Sequence, residues 1–145
     1  MNINKFFSEQ QKSQIMKAIG EAEQKTSGEI RVHLEKRCKV HPLDRAGYIF
    51  QKLKMHQTHL RNGTLIYLAV IDKKFAILGD EGINEAVTEN FWEDVKDEMS
   101  GFFSKGDFSG GIIRAISLIG DKLKEFFPFQ EDDVNELPDD ISIGE

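Results

Sequence analysis

The stretch Thr64-Leu65-Ile66-Tyr67-Leu68-Ala69-Val70-Ile71 decides the fold. It is the longest uncharged apolar run in the chain. Its length is that of a strand, and a strand without polar alternation is covered on both faces. It therefore belongs at the centre of a sheet with helices above and below. Asp72-Lys73-Lys74 follows as a tight turn, and residues 75–78 return as the second strand of a hairpin.

Upstream, Ile30, Val32 and Leu34 alternate with Glu29, Arg31, His33 and Glu35. This is a strand with one buried and one polar face, and it places His33 on the surface. Residues 43–60 predict a helix between the two strands, with Ala46, Phe50, Leu53, Gln57 and Leu60 on one stripe and Arg61-Asn62-Gly63 as its stop. Strands joined through a helix are parallel with a right-handed crossover. Glu29 and Gly63 then share one end of the sheet, and the hairpin returns Gly79-Asp80-Glu81 to it.

The flanks supply the covering helices. Ser8 and Gln11 form a capping box, with Phe7 as a staple residue, and Ile15, Ile19 and Ala22 follow at helical spacing up to Gly28. After a break at 79–82, Asn84 is the predicted cap of a third helix bearing Val87, Phe91, Val95, Met99 and Phe102 inward. Gly106-Asp107 separates it from a last helix that starts near Ser109 and carries Ile112, Ile116, Ile119, Leu123 and Phe126, with Pro128 as its end. The predicted class is a three-layer α/β/α sandwich. Its small mixed central sheet is a parallel pair plus an antiparallel hairpin strand, and helices cover both faces. Residues 1–127 form one domain. Residues 128–145 are an acidic tail, loosely docked or disordered, in which Val134, Leu137 and Ile141 could pin the chain to the body.

Composition narrows the class. The 145 residues carry a net charge of −6, and the tail alone holds seven acids and no base, which leaves the first 127 residues at +1. Residues 28–71 are basic, with Arg31, Lys36, Arg37, Lys39, Arg45, Lys52, Lys54 and Arg61. Only Tyr48 and Phe50 lie inside the helix there as aromatics to stack bases, so the reading is a solvated basic face and no nucleic-acid partner. One cysteine, Cys38, excludes an intrachain disulfide and fits a reducing compartment. No apolar run approaches the roughly 20 residues that span a bilayer, and the first residues lack a signal-peptide pattern. The expectation is a cytoplasmic monomer without membrane insertion.

Four segments resemble the TPM domain family. Thr26-Ser27-Gly28-Glu29-Ile30 is similar to its TGEI strand start, and Asn62-Gly63-Thr64-Leu65 to its NG-x-L entry to the central strand. Phe75 onward, with Gly79-Asp80 and Gly82-Ile83, is similar to its I-x-G-x-G-I segment. Phe103 onward, with Gly106-Asp107 and Gly111, is similar to its F-x-x-GD-x-x-x-GI segment. Each motif is weak alone; four in order over residues 8–127 are specific. The resemblance implies an α/β/α sandwich, a divalent metal site, and the phosphatase activity of some relatives.

Strand topology independently directs attention to the same positions. Glu29, Asn62, Asp80, Glu81 and Asp107 are predicted to converge at one rim, the last through the loop between two helices. Carboxylate and amide oxygens suit Ca²⁺ or Mg²⁺. The alternative for Asp80 and Asp107 is a helix-cap or turn role. Other chemistries fit worse. Six residues separate Cys38 from Arg45, against five in a tyrosine-phosphatase loop. His56 and His59 lack the further ligands of a zinc site. There is no phosphate-binding glycine loop, and the tail has no EF-hand spacing. Three functions follow: a metal-binding module that is non-catalytic or regulatory, a metal-assisted phosphomonoesterase, or a ligand-free interaction domain.

Overall fold

The computed structural model describes residues 1–129 and 140–144. Strands β1 (Glu29–Glu35), β2 (Gly63–Ala69), β3 (Lys74–Gly79) and β4 (Ile141–Ile143) form one sheet in the order β3-β2-β1-β4. The β1–β2 pair is parallel, with Glu29 opposite Gly63 and Glu35 opposite Ala69. The β2–β3 pair is antiparallel, with Thr64 opposite Gly79. The strand 64–71 is central as predicted, and every residue of β2 is buried.

Helices α1 (Glu9–Glu23), α4 (Glu89–Phe103) and α5 (Phe108–Phe126) cover one face. Ile15, Ile19, Val95, Met99, Ile112 and Ile116 meet Ile30, Val32, Leu34, Ile66, Leu68 and Ile77 of the sheet there. Helix α2 (Pro42–Lys52) covers the other face, where Ala46, Ile49 and Phe50 meet Leu65, Tyr67, Ala69 and Ala76. The Ser8–Gln11 capping box forms, with the Gln11 N–H 3.1 Å from Ser8 Oγ and the Ser8 N–H 2.9 Å from Gln11 Oε1.

Three expectations are corrected, and the end of the chain adds a fourth strand to the sheet. The helix predicted over 43–60 stops at Lys52. Lys54 enters the left-handed region at φ 59°, and a 3₁₀ turn, Met55–Gln57, buries Met55 against the sheet while Leu60 stays exposed. A continuous helix would have carried Met55 away from the gap beside Gly63, where its carbonyl lies 3.3 Å from the Cβ that an alanine would add. Asn84 does not cap a helix. A short helix α3 (Glu81–Asn84) begins at Asp80, and Thr88 stands before α4. Asn84 Nδ2 donates to the Gly79 carbonyl at 2.9 Å, and Trp92 Nε1 donates to Asn84 Oδ1 at 3.2 Å. His33 is buried, because α2 covers the polar face of β1 and β4 pairs along its edge. The end of the tail is a strand: Ile141 pairs with Val32 and Ile143 with Leu34, parallel to β1. Val134 and Leu137 lie outside the described residues.

Candidate functional site

Three chain segments are stitched together at the amino end of β1 and β2. The Glu29 N–H donates to the Asn62 carbonyl at 3.2 Å, the Asp80 N–H to the Gly63 carbonyl at 2.9 Å, and the Gly82 N–H to the Arg61 carbonyl at 2.9 Å. Gly82 is needed for this closeness. A Cβ there would lie 2.3 Å from the Leu60 carbonyl oxygen and 2.7 Å from that of Arg61. Asp80 opens α3, its Oδ1 accepting the Glu81 N–H at 2.8 Å.

Glu29, Asn62 and Asp80 are buried at this rim, and the side chain of Glu81 is exposed. From the sequence, Arg61 reads as part of a helix stop and of a solvated basic face. Its φ of 51° instead turns the chain so that the guanidinium reaches into the acids. Nε lies 2.7 Å from Asp80 Oδ2, Nη2 2.8 Å from Asp80 Oδ1 and Nη1 3.1 Å from Glu81 Oε1. This is a two-pronged charge-assisted pair, and it holds the guanidinium pKa above its ordinary value. An arginine adjoining the expected oxygen cluster was the available signal. Two buried oxygens here, Asn62 Oδ1 and Thr64 Oγ1, have no hydrogen-bond partner among the described residues, and Asn62 Nδ2 lies 3.5 Å from Ser27 Oγ. Buried polar atoms left unpaired carry a desolvation cost of about 1–3 kcal/mol.

Asp107 is not at this rim. Phe103, four residues before it, stacks edge-on with Phe75 at 5.0 Å, and Gly106 lines a cleft with Leu68, Lys73 and Phe75 at the hairpin end of the sheet. Helix α5 then runs the length of the sheet. It ends where the Thr26 hydroxyl donates to the Phe127 carbonyl and Leu123 fills the space over Gly28. The convergence predicted for five residues thus brings four together, because α5 spans the molecule and puts its two ends at opposite rims. Asp107 takes the cap role, accepting the Gly110 N–H at 2.9 Å. Among the described residues, no three His, Cys, Asp or Glu side chains form a group arranged to hold a metal ion.

A second polar centre, missed from sequence, lies between β1, β2 and α2. Glu35 receives Arg45 Nε at 2.9 Å and the Tyr67 hydroxyl at 2.6 Å, and His33 Nε2 lies 3.3 Å from its Oε1. His33 Nδ1 is 2.8 Å from Ser142 Oγ of β4. Burial opposes the charge on Glu35, yet the hydrogen bonds from Arg45 and Tyr67 outweigh it and hold the carboxyl below its ordinary value. Burial lowers the His33 pKa despite its bond to Glu35, and burial with the Glu35 bond raises that of Tyr67. A strict polar–apolar alternation cannot reveal that the polar face is itself covered. Cys38 is buried, its N–H donating to Asp72 Oδ2 at 2.8 Å and its thiol to the Val40 carbonyl at 3.1 Å.

The architecture defines a small α/β sandwich domain with a mixed sheet. The TPM domain family model matches residues 2–122, and the chain belongs to that family. Its structure is similar to the NMR structure of the BA42 protein from the psychrophilic bacterium Bizionia argentinensis, with 44% sequence identity, 99% of each chain covered and a TM-score of 0.92. It also shares its fold with the N-terminal domain of the cg2496 protein from Corynebacterium glutamicum, at 17% identity, 81% of this chain and 74% of that one, with a TM-score of 0.63. No curated protein matches the chain. No helix among the described residues is long and apolar enough to cross a membrane.

Proposed function

We propose that this TPM domain is a non-catalytic or regulatory module that binds a divalent cation, Ca²⁺ or Mg²⁺, at the Asp80 rim. The observation that carries the reading is the buried Oδ1 of Asn62, without a hydrogen-bond partner among the described residues, at the rim that also carries a carboxylate pair whose positive partner is a removable side chain. The donors suit a hard cation, since the Asp80 and Glu81 carboxylates and the Asn62 amide carbonyl are oxygen ligands. Arg61 supplies the positive charge that the ion would replace. Binding then requires the guanidinium to swing away, so affinity is modest, and the ion competes with a side chain of the protein itself. Asp107 has no part in this site.

The test is a titration of the full chain with CaCl₂ and with MgCl₂, followed by backbone amide NMR. Saturable shifts at residues 29, 61–64 and 79–83, reversed by EDTA, are the expected result. Arg61→Ala should tighten binding, because the competitor is gone, and Asp80→Asn should weaken it. Shifts confined to the acidic tail, or an Asp80→Asn variant that binds like the parent, would refute the rim. Turnover of p-nitrophenyl phosphate that disappears with Asp80→Asn would replace the non-catalytic reading with a phosphomonoesterase.

A further inference from the structure

At the opposite end of the sheet, the carboxyl end of β1, the chain forms a basic groove. The carboxyl ends of parallel strands are a common ligand position in open α/β sheets, and β1, which has a parallel neighbour on each side, β2 and β4, ends here as the chain turns toward α2. The groove there has a volume of about 400 Å³ and is lined by Glu35, Lys36, Arg37, Lys39, Val40 and Arg45, with the buried Cys38 at its base.

The charge of this groove is positive because its acids are already used. Glu35 is held by Arg45 and Tyr67. Asp72 accepts from Arg37 Nη1 at 3.1 Å and from the Cys38 N–H. Neither Lys36 nor Lys39 joins an ion pair among the described residues, since the salt bridges involve other cations. The loop is also fixed before any ligand arrives. The Ile71 N–H donates to the Lys36 carbonyl at 2.8 Å, Lys74 Nζ to the Cys38 carbonyl at 3.1 Å, and the Cys38 thiol closes the turn onto Val40. A preformed loop spares a ligand the ordering cost of binding. The first turn of α2, which follows at Pro42, adds the partial positive charge of a helix start.

We infer that the groove formed by Lys36, Arg37, Lys39 and Arg45 binds a compact multivalent oxyanion, a phosphate group or a polycarboxylate. It does so independently of the cation at the Asp80 rim. Cations converging from one loop and one helix suit a small ligand carrying two or more negative charges. Glu35 and Asp72 already answer Arg45 and Arg37, and a monovalent ion would leave part of the remaining charge unanswered.

The experiment is an amide NMR titration of the full chain in EDTA, at an ionic strength held constant with NaCl. One arm adds sodium phosphate and a second adds sodium citrate. The expected result is saturable shifts at residues 36–45 in at least one arm, and the arm that saturates at lower concentration names the ligand class. The K36E/K39E double variant should weaken binding by about tenfold or more, whereas Asp80→Asn should leave it unchanged. If K36E/K39E fails to fold, K36Q/K39Q serves, with a loss of about threefold or more expected. Shifts that grow linearly in both arms, that spread equally to Lys17 and Lys54, or that survive in folded lysine variants would overturn the inference.

Discussion

Single residues at the rim and in the buried polar centre carry the sharpest consequences. Asp80→Asn keeps a capping side chain for α3, since asparagine caps a helix nearly as well as aspartate. The fall in melting temperature should then be limited to the weakened pair with Arg61, while the response to Ca²⁺ or Mg²⁺ weakens, which paired thermal and titration curves would show. His33 and Glu35 make stability depend on pH. The folded His33 pKa lies below its unfolded value of about 6.5, so the unfolded chain binds the proton first. Stability is then full above that value and falls as pH drops through it. Glu35 acts in the same direction at lower pH, since its carboxyl is held below its ordinary range and its contribution is lost on acidification. Melting temperatures should decline between pH 7 and pH 5.5, and His33→Gln should flatten that decline. Cys38 donates its thiol to a carbonyl and is buried. Cys38→Ser should leave any phosphomonoester turnover within a factor of about two, because the buried thiol is not presented to a substrate.

Elements act through close approaches that one added carbon would spoil. Gly82→Ala would drive a methyl against two carbonyl oxygens of the 60–61 turn. Overpacking of this kind costs about 1–3 kcal/mol, and here it would also separate Asp80 from Arg61. A lower urea midpoint together with weaker cation binding is the expected pair of outcomes. Strand β4 is the second such element. Gly144 lies against Glu35 and His33, where a Cβ would come within 2.8 Å of Glu35 Oε1, and its N–H donates to the Leu34 carbonyl at 2.7 Å. Truncation after Phe129 removes β4 and leaves β1 as a bare edge, an invitation to intermolecular pairing. Amide exchange in β1 should quicken and the truncated chain should self-associate, while its rim still responds to the cation.

For the whole molecule, two apolar clusters on the two faces of one sheet hold the fold together. Ile66 is fully buried in the larger one. Ile66→Ala should destabilise the protein by about 2–5 kcal/mol, through lost transfer energy and the cavity left behind, as chemical denaturation would measure. The two proposed sites lie at opposite ends of this sheet, one acidic and one basic. A ligand at either end that binds only the folded state raises the melting temperature by mass action.

The sequence by itself determined the sheet centre, the order of the first three strands and the parallel–antiparallel mixture. These follow from local patterns: an unbroken apolar run, a period-two alternation and a tight turn. It also located the helix starts at Ser8 and close to Ser109, where capping chemistry is written in neighbouring residues. Only the tertiary structure decided the rest. The break at Lys54 arises because Met55 finds a buried place that a straight helix would miss. His33 and Glu35 are buried because α2 folds back over a face that alternation alone reads as solvent, and because β4, more than a hundred residues further along the chain, pairs beside β1. Asp107 stands apart from Asp80 because α5 runs the whole length of the sheet, and helix direction depends on packing rather than on composition. Arg61 could be read as a turn residue but not as the partner of Asp80, since the contact needs three segments to meet in space. Local sequence encodes which face is apolar and where a helix begins, whereas the neighbours of a polar side chain are set by long-range packing.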